Sequence, residues 1–351
     1  MKFEKLAYVI ISTILVTVFI LFSYIFSPFE FDKTSHPEKK IYYVDNISAA
    51  HQKVIDRFNE KFKGKIEVVA INLSFDKFST NERKELLARY LRSRNDRIDI
   101  FAVDQIWVPR FAKWGVPLDK YFSEDEKNNL LSFATETCFF EDTLVSIPLY
   151  IDIALMFYRD DLIKTLPDYE IIKDKIENSI TWEDFIELRK RFNGNQPFYV
   201  FQADDYEGLL CSFAELMSNQ NSKIITTDSV YLQTAEGNKA LQTLVDLINN
   251  YNVSPKEVIK FKENPSYNFF LENDGIFLRG WPGFLSKDNK TFENKPEIFA
   301  NLKRAPLPHL KGTKPGSVFG GWNLMVSKYS TKVPEIIKFA QFFISEEAQK
   351  I

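Results

Sequence analysis

Cysteine and histidine are scarce here, and each scarcity excludes chemistry. Two cysteines in 351 residues, Cys138 and Cys211, allow at most one disulfide, so no disulfide framework holds this fold. Whether the two meet is left open by the sequence, and two separate buried thiols remain the alternative. The three histidines, His36, His51 and His309, stand far apart, which speaks against a metal site, and no cofactor is expected. The phosphate-cradling patterns G-x-x-x-x-G-K-[ST] and G-x-G-x-x-G are missing, as is the zinc-binding H-E-x-x-H. Gly316-Ser317-Val318-Phe319-Gly320 sets its serine wrongly between the glycines for a nucleophile elbow. Basic residues (45) and acidic residues (48) nearly cancel to a net charge of −3, so neither nucleic acid nor an anionic membrane surface is an indicated partner.

Apolar residues are plentiful. They make up 45% of the chain, which is long enough for two domains of ordinary size. Phenylalanine alone occurs 33 times, and most of those rings must be core. Leu6 to Phe26 carries no charge and is almost wholly apolar. A helix over that stretch would span about 30 Å, the thickness of a bilayer core. Lys2 and Lys5 precede it, which places the N-terminus in the cytoplasm and the bulk of the chain outside. A cleaved signal is the competing reading, but the exit L-F-S-Y-I-F-S-P-F has no A-x-A-like triplet, and no lipid-bearing cysteine follows. Residues 1–27 are therefore read as a transmembrane anchor or signal. Residues 28–39, polar with two prolines, are read as a stalk.

Beyond the stalk, strand and helix patterns alternate. Ile41–Val44 and Ile66–Ile71 are β-rich, while Val54, Ile55, Phe58 and Phe62 fall on one helical face. Ser79 with Glu82, Ser123 with Glu126, and Thr181 with Asp184 have the spacing of capping boxes. Ala235–Tyr251 has Leu241, Leu244, Val245 and Ile248 at helical spacing and predicts a packed core face. Trp182, in the first turn of a helix, is read as structural. A second apolar helix is predicted over Pro334–Ile344. The alternation predicts an α/β protein with helices on a mostly parallel sheet.

Tryptophans and carboxylates recur where these strands stop. Ile98–Val103 is closed by Asp104, and Trp107 follows. Tyr150 and Asp152 lie in Ile147-Pro148-Leu149-Tyr150-Ile151-Asp152. Arg279-Gly280-Trp281-Pro282 and Phe319-Gly320-Gly321-Trp322 repeat the layout. A tryptophan beside glycine or proline at an element end is expected in a loop, where binding residues concentrate. Indole rings stack on flat apolar faces, and carboxylates accept hydrogen bonds from hydroxyls. Sugars offer both. Each candidate has a plainer alternative. Asp104 is equally placed to cap the helix that follows, and Asp152 and Tyr150 to be ordinary hinge residues. Trp281 and Trp322 are equally suited to core packing, and Trp107 to folding onto the helix after it. Arg279 would give a fork of hydrogen bonds to sugar oxygens or pair with an acid.

The segments D-I-F-A-V-D-Q-I-W-V-P, I-P-L-Y-I-D-I-A-L-M-F-Y-R-D-D-L, T-W-E-D-F, R-G-W-P, A-P-L-P, G-G-W-N-L-M-V-S-K and S-E-E-A-Q occur in this order from about Lys40 to the end. In this the chain resembles the extracellular solute-binding proteins of sugar ABC importers, the maltose/trehalose-binding type. The resemblance implies a two-lobed periplasmic-binding-protein fold of type II with an interlobe cleft. It implies lobe one at 40–149 plus 324–351 and lobe two at 150–323. It implies a carbohydrate ligand delivered to ABC permease subunits by lobe closure, and no catalysis. Asp104, Trp107, Tyr150, Asp152, Arg279, Trp281, Gly321 and Trp322 are the implied ligand-binding set. The loop after the first strand, Asp45-Asn46-Ile47-Ser48-Ala49-Ala50, departs from the family's pattern. The family usually continues past S-E-E-A-Q, so this ending is read as premature. A sensing module of a membrane receptor is the second reading, and a glycoside hydrolase the third.

Overall fold

The computed structural model describes residues 13, 16–18, 39–75, 77–94, 97–220, 231–285, 292 and 295–351. The described chain forms two compact units. The first ends at Leu149 and resumes over Asn323–Ile351; the second is Tyr150–Trp322.

The first unit is built on a five-stranded sheet of β1 (Lys40–Asp45), β2 (Glu67–Asn72), β3 (Ile100–Asp104), β6 (Ile147–Ile153) and β11 (Phe319–Val326), in the order β2-β1-β3-β11-β6, with β6 and β11 each carrying the chain across the boundary between the units. β1 runs parallel to both β2 and β3, as crossover helices require. Those helices are Ala49–Lys61, which buries Val54, Ile55 and Phe58, and Thr80–Arg92. The second starts where the sequence indicates: Ser79 and Glu82 exchange both capping-box hydrogen bonds. Ser123 and Glu126 do the same. Thr181 caps its helix through Asp184 N, without the reciprocal bond. The apolar core joins Val44, Leu87, Leu91, Phe101, Phe111, Trp114 and Met325.

Two buried carboxylates tie this unit together. Asp99 accepts from Tyr42 N, Ser330 Oγ and Lys332 Nζ, so the segment after β11 is fastened to the sheet by charge-assisted bonds. Asp45, at the end of β1, accepts from Arg83 Nη2 at 2.9 Å and from the Tyr43 hydroxyl at 2.7 Å. The departure noted in the loop after β1 thus has a structural counterpart, since Asp45 is engaged inside the unit.

The second unit has a mixed sheet of β7 (Leu155–Arg159), β8 (Tyr199–Val200), β9 (Phe277–Gly280) and β10 (Leu302–Ala305), in the order β10-β7-β9-β8. β7 is antiparallel to both neighbours, and only β8 and β9 pair in parallel. The expectation of a mostly parallel sheet holds for β2-β1-β3 and fails here. Phe157, Phe185, Phe198, Phe270, Phe277 and Phe284 form much of the core, consistent with the reading of phenylalanine as packing. Trp182 joins them, with its ring edge-on to Phe185 and Tyr199.

Two expectations need correction. Tyr150 and Asp152 lie inside β6, and Gly320, Gly321 and Trp322 inside β11, so these are strand residues rather than loop residues. Glycine and proline mark element ends only when no neighbouring strand claims the backbone, and here one does. The helix Ala235–Asn249 buries Gly237, Ala240, Leu244 and Leu247, leaving Leu241 and Val245 exposed. The same sequence carries two adjacent apolar stripes, and packing selected the one containing the small residues. The predicted anchor, Leu6–Phe26, lies outside the described residues apart from residues 13 and 16–18. Among the described residues no helix is long and apolar enough to cross a membrane.

Cys138 and Cys211 fall in different units and neither forms a disulfide. Burial pushes the Cys138 thiol up to about 12, against the opposing bonds of Ser146 and Thr137. Thiolate is the reactive form. In a Cys211→Ser variant, native protein at pH 8 should therefore show no thiol reactive towards a disulfide reagent, and denatured protein should show one. A fast-reacting thiol in the native variant would contradict the burial of Cys138.

Candidate functional site

The strand register of the second unit gathers several of the expected residues at one end of its sheet. Leu155 pairs with Gly280 and Met156 with Arg279, so the residues preceding Leu155 and those following Gly280 emerge together. Asp152 and Trp281 are such residues. The segment leading into β11 joins the same end: Ala154 N donates to Val318 O, and Ser317 Oγ donates to Ala154 O. Gly320 then passes the Trp281 ring, where an added Cβ would sit 3.7 Å from the indole, an ordinary contact. Gly321 is under tighter constraint. A Cβ there would lie 2.6 Å from Tyr150 O, so only glycine lets β11 approach β6 this closely.

Asp152 is partly buried, and among the described residues no hydrogen bond or ion pair reaches its carboxylate. Burial raises its pKa, with no opposing donor. An acceptor held in this way lacks what a hydroxyl-bearing ligand would supply. Tyr267, from the helix Glu263–Glu272, is its neighbour. Burial comes first among the causes that raise the Tyr267 phenol, followed by the charge of Glu263, with Asp152 adding to it. The Tyr267 hydroxyl accepts from Trp281 N at 3.1 Å, which pins the corner bearing the indole. Nearby, the Tyr206 hydroxyl is buried beside Glu263, and burial and then the charge of Glu263 raise its pKa. The Trp281 ring itself is half-buried against the core.

Arg279 is not a donor to a ligand. Its guanidinium is fully buried and its donors are engaged: Nη2 and Nε reach Glu215 at 2.7 and 3.3 Å, and Nη1 reaches Gln202 Oε1 at 2.9 Å. It took the pairing alternative because it sits inside β9, under the sheet end rather than on it. Trp322 is also buried, 8% exposed, and offers no open ring for stacking. Tyr150 is half-buried in β6.

Asp104 and Trp107 belong to the first unit. Asp104 ends β3 and accepts from Ile106 N at 3.1 Å, which is the capping role. Trp107 packs on the core of that unit, its ring is covered by Lys84 Nζ at 4.1 Å, and its Nε1 is buried without a hydrogen-bond partner among the described residues. Two surface grooves, of about 430 and 340 Å³, are lined by none of these residues. The first runs between Pro109–Lys113 and the short β4–β5 hairpin (Phe139–Phe140, Thr143–Leu144), the second between the helices Tyr169–Glu177 and Trp182–Arg189.

Residues 44–350 match the family described as bacterial extracellular solute-binding protein. The chain belongs to this family. One relative, a "probable ABC transporter-binding protein" of Deinococcus radiodurans, is 25% identical over 275 residues, covering 77% of this chain and 64% of its own. The chain thus spans just under two thirds of that relative's length. Among solved structures, maltose-bound MalE3 of T. maritima matches with a TM-score of 0.75 at 24% identity, covering 89% of this chain and 78% of its own. The Thermus thermophilus maltotriose binding protein matches with a TM-score of 0.67 at 19% identity, covering 88% and 78%. At these identities the likeness shows the fold, the two-lobed α/β architecture of solute-binding proteins.

Sequence reasoning missed Tyr267, Tyr206, Glu215 and Gln202. One signal was available. Glu215 stands in F-A-E-L-M, an acid inside an apolar helical run, and such an acid demands a buried partner. Tyr267 gave none, because N-P-S-Y-N-F-F reads as core.

Asp152 supplies a test in which stability and binding move oppositely. Its folded-state pKa is raised, so above that value the folded protein carries a burial penalty, which disappears as the pH falls through the ordinary carboxylate range. Asp152→Asn should keep or raise the melting temperature at pH 7, and the gain should vanish near pH 4. A lower melting temperature at pH 7 would mean that the carboxylate is structurally paired.

Proposed function

We propose that this solute-binding protein binds a neutral carbohydrate at the Asp152–Trp281 end of its second unit and passes it to ABC permease subunits. The observation that carries the reading is Asp152, a partly buried carboxylate with no hydrogen-bond or ion-pair partner among the described residues, at the same sheet end as a half-buried indole. A carboxylate there accepts hydroxyl donors, and the ring covers the apolar face of a pyranose. Relatives support the choice of ligand class: their descriptions name bound maltose, maltotriose, tagatose and mannitol. Gly320 leaves the edge of the ring clear, and Gly321 keeps the strand beneath it close to Tyr150. The proposal does not depend on Asp104 or Trp107.

The compartment is proposed to be extracytoplasmic, as the family description states for its members, with Leu6–Phe26 as an uncleaved anchor. Sensing by a membrane receptor is the second reading, and it shares the same binding site.

A thermal-shift panel of maltose, maltotriose, mannitol and tagatose tests the ligand class. A ligand at 100 times its Kd stabilises by about 2.7 kcal/mol, which for a chain of this size means a rise of a few degrees. The bound sugar should be recovered chemically unchanged. Shifts from amino acids or phosphate alone would overturn the proposal, and a cleaved sugar would favour a hydrolase. Asp152→Asn and Trp281→Ala should each weaken binding of the tightest ligand by about tenfold or more, since a hydrogen bond to a charged group is worth about 1.5–3 kcal/mol and 1.4 kcal/mol is tenfold. Unchanged affinity in either folded variant removes that residue from the site. For the anchor, the intact mass of the mature protein should include residues 1–27.

A further inference from the structure

The polar cluster beneath Trp281 is expensive for a core. Arg279, Gln202 and Ser266 are fully buried and Glu215 nearly so. Around them lie Phe157, Phe270, Phe284 and other apolar side chains. Buried ion pairs are commonly replaceable by apolar residues without loss of stability, so stability alone does not account for one. In this one each of the three guanidinium nitrogens has a partner. Glu215 takes the guanidinium through both oxygens, and Gln202 Oε1 takes a third donor. Gln202 Nε2 in turn donates to Ser266 Oγ at 2.7 Å and to Arg279 O at 3.0 Å, so neither end of the amide is free to turn over. The outcome is a guanidinium fixed in position, with its carbon 4.7 Å from the centre of the Trp281 ring. The backbone of the same corner is held by Tyr267, and Gly280 passes so close to the Phe157 and Tyr267 rings that a Cβ would sit 3.0 Å from each.

We infer that Arg279, Glu215 and Gln202 are positioning residues for Trp281: the neutralised guanidinium holds the indole in one orientation, ready to receive the ligand. The inference rests on the proposed carbohydrate site and adds residues that do not touch the sugar. An indole free to change rotamer must be ordered when the ligand arrives, and ordering one side chain costs about two- to tenfold in affinity. The cluster removes that cost before binding. Glu215 and Gln202 reach Arg279 from the helix Glu207–Gln220 and from just after β8, so the device draws on three separate stretches of chain.

The test is a mutant cycle read in affinity for the tightest binder among maltose, maltotriose, mannitol and tagatose. Four proteins are compared: the parent, Trp281→Ala, the paired swap Arg279→Met with Glu215→Leu, and all three substitutions together. The paired swap removes both charges, so no lone charge is left buried. It should keep the fold and weaken binding about two- to tenfold. Trp281→Ala should then cost less in the swapped protein than in the parent, because a ring already loose has less to lose. Arg279→Lys, which keeps the charge but not the planar fork, should weaken binding in the same direction and serves if the swap does not fold. Unchanged affinity in a folded swap or in Arg279→Lys overturns the inference, as do losses that simply multiply, while the carbohydrate site stands if Trp281→Ala still weakens binding. If Trp281→Ala has no effect in the parent, or the parent binds none of the four sugars, the site itself falls and the inference with it.

Discussion

A buried guanidinium must have its charge met and its donors occupied, and much of the second unit is arranged around that requirement at Arg279. Leaving such a charge unpaired costs several kcal/mol, so whatever supplies Glu215 and Gln202 is held in place with it. The helix Glu207–Gln220, the loop leaving β8 and the strand β9 are thereby set in one mutual geometry. Everything at the sheet end follows: where β9 stops, where Trp281 emerges, and where Tyr267 can bond its backbone. The first unit also meets buried charge across distant stretches of chain. Arg83 meets Asp45 inside it, and Lys332 meets Asp99, each joining stretches that are remote in sequence.

Local signals were legible, and remote ones were not. Ser79 and Glu82 could be read as a cap because both partners lie within four residues, and the structure repeats that bond. The place of Trp281 just past a strand was legible from Gly280 and Pro282. Arg279 was ambiguous because its partner Glu215 lies 64 residues away, and nothing in R-G-W-P distinguishes a donor to a ligand from a donor to a carboxylate. Trp322 misled for a related reason. Two glycines before a tryptophan suggest a loop, but here they admit a close strand neighbour, and the ring is carried into the interior. That Asp152 has no hydrogen-bond or ion-pair partner among the described residues is a property of its surroundings, and no sequence pattern records it.

Fold class was more legible than the details of each sheet. Alternating patterns implied α/β layers, which both units contain. They did not reveal that β7 runs against both its neighbours, because strand direction depends on how the chain returns, not on the composition of the strand. The helix Ala235–Asn249 makes a similar point. Periodicity showed an apolar surface wide enough to bury in more than one way, and Ala240 decided which way.

The two unbridged cysteines carry a consequence for biogenesis. With Cys138 deep in one unit and Cys211 in the other, neither unit relies on an oxidative step to reach its final form. A chain destined for the cell exterior commonly waits for disulfide chemistry there before it is safe from proteases. This one carries its whole folding programme in packing and paired charge. It should reach the same state in a reducing cytosol as in an oxidising medium.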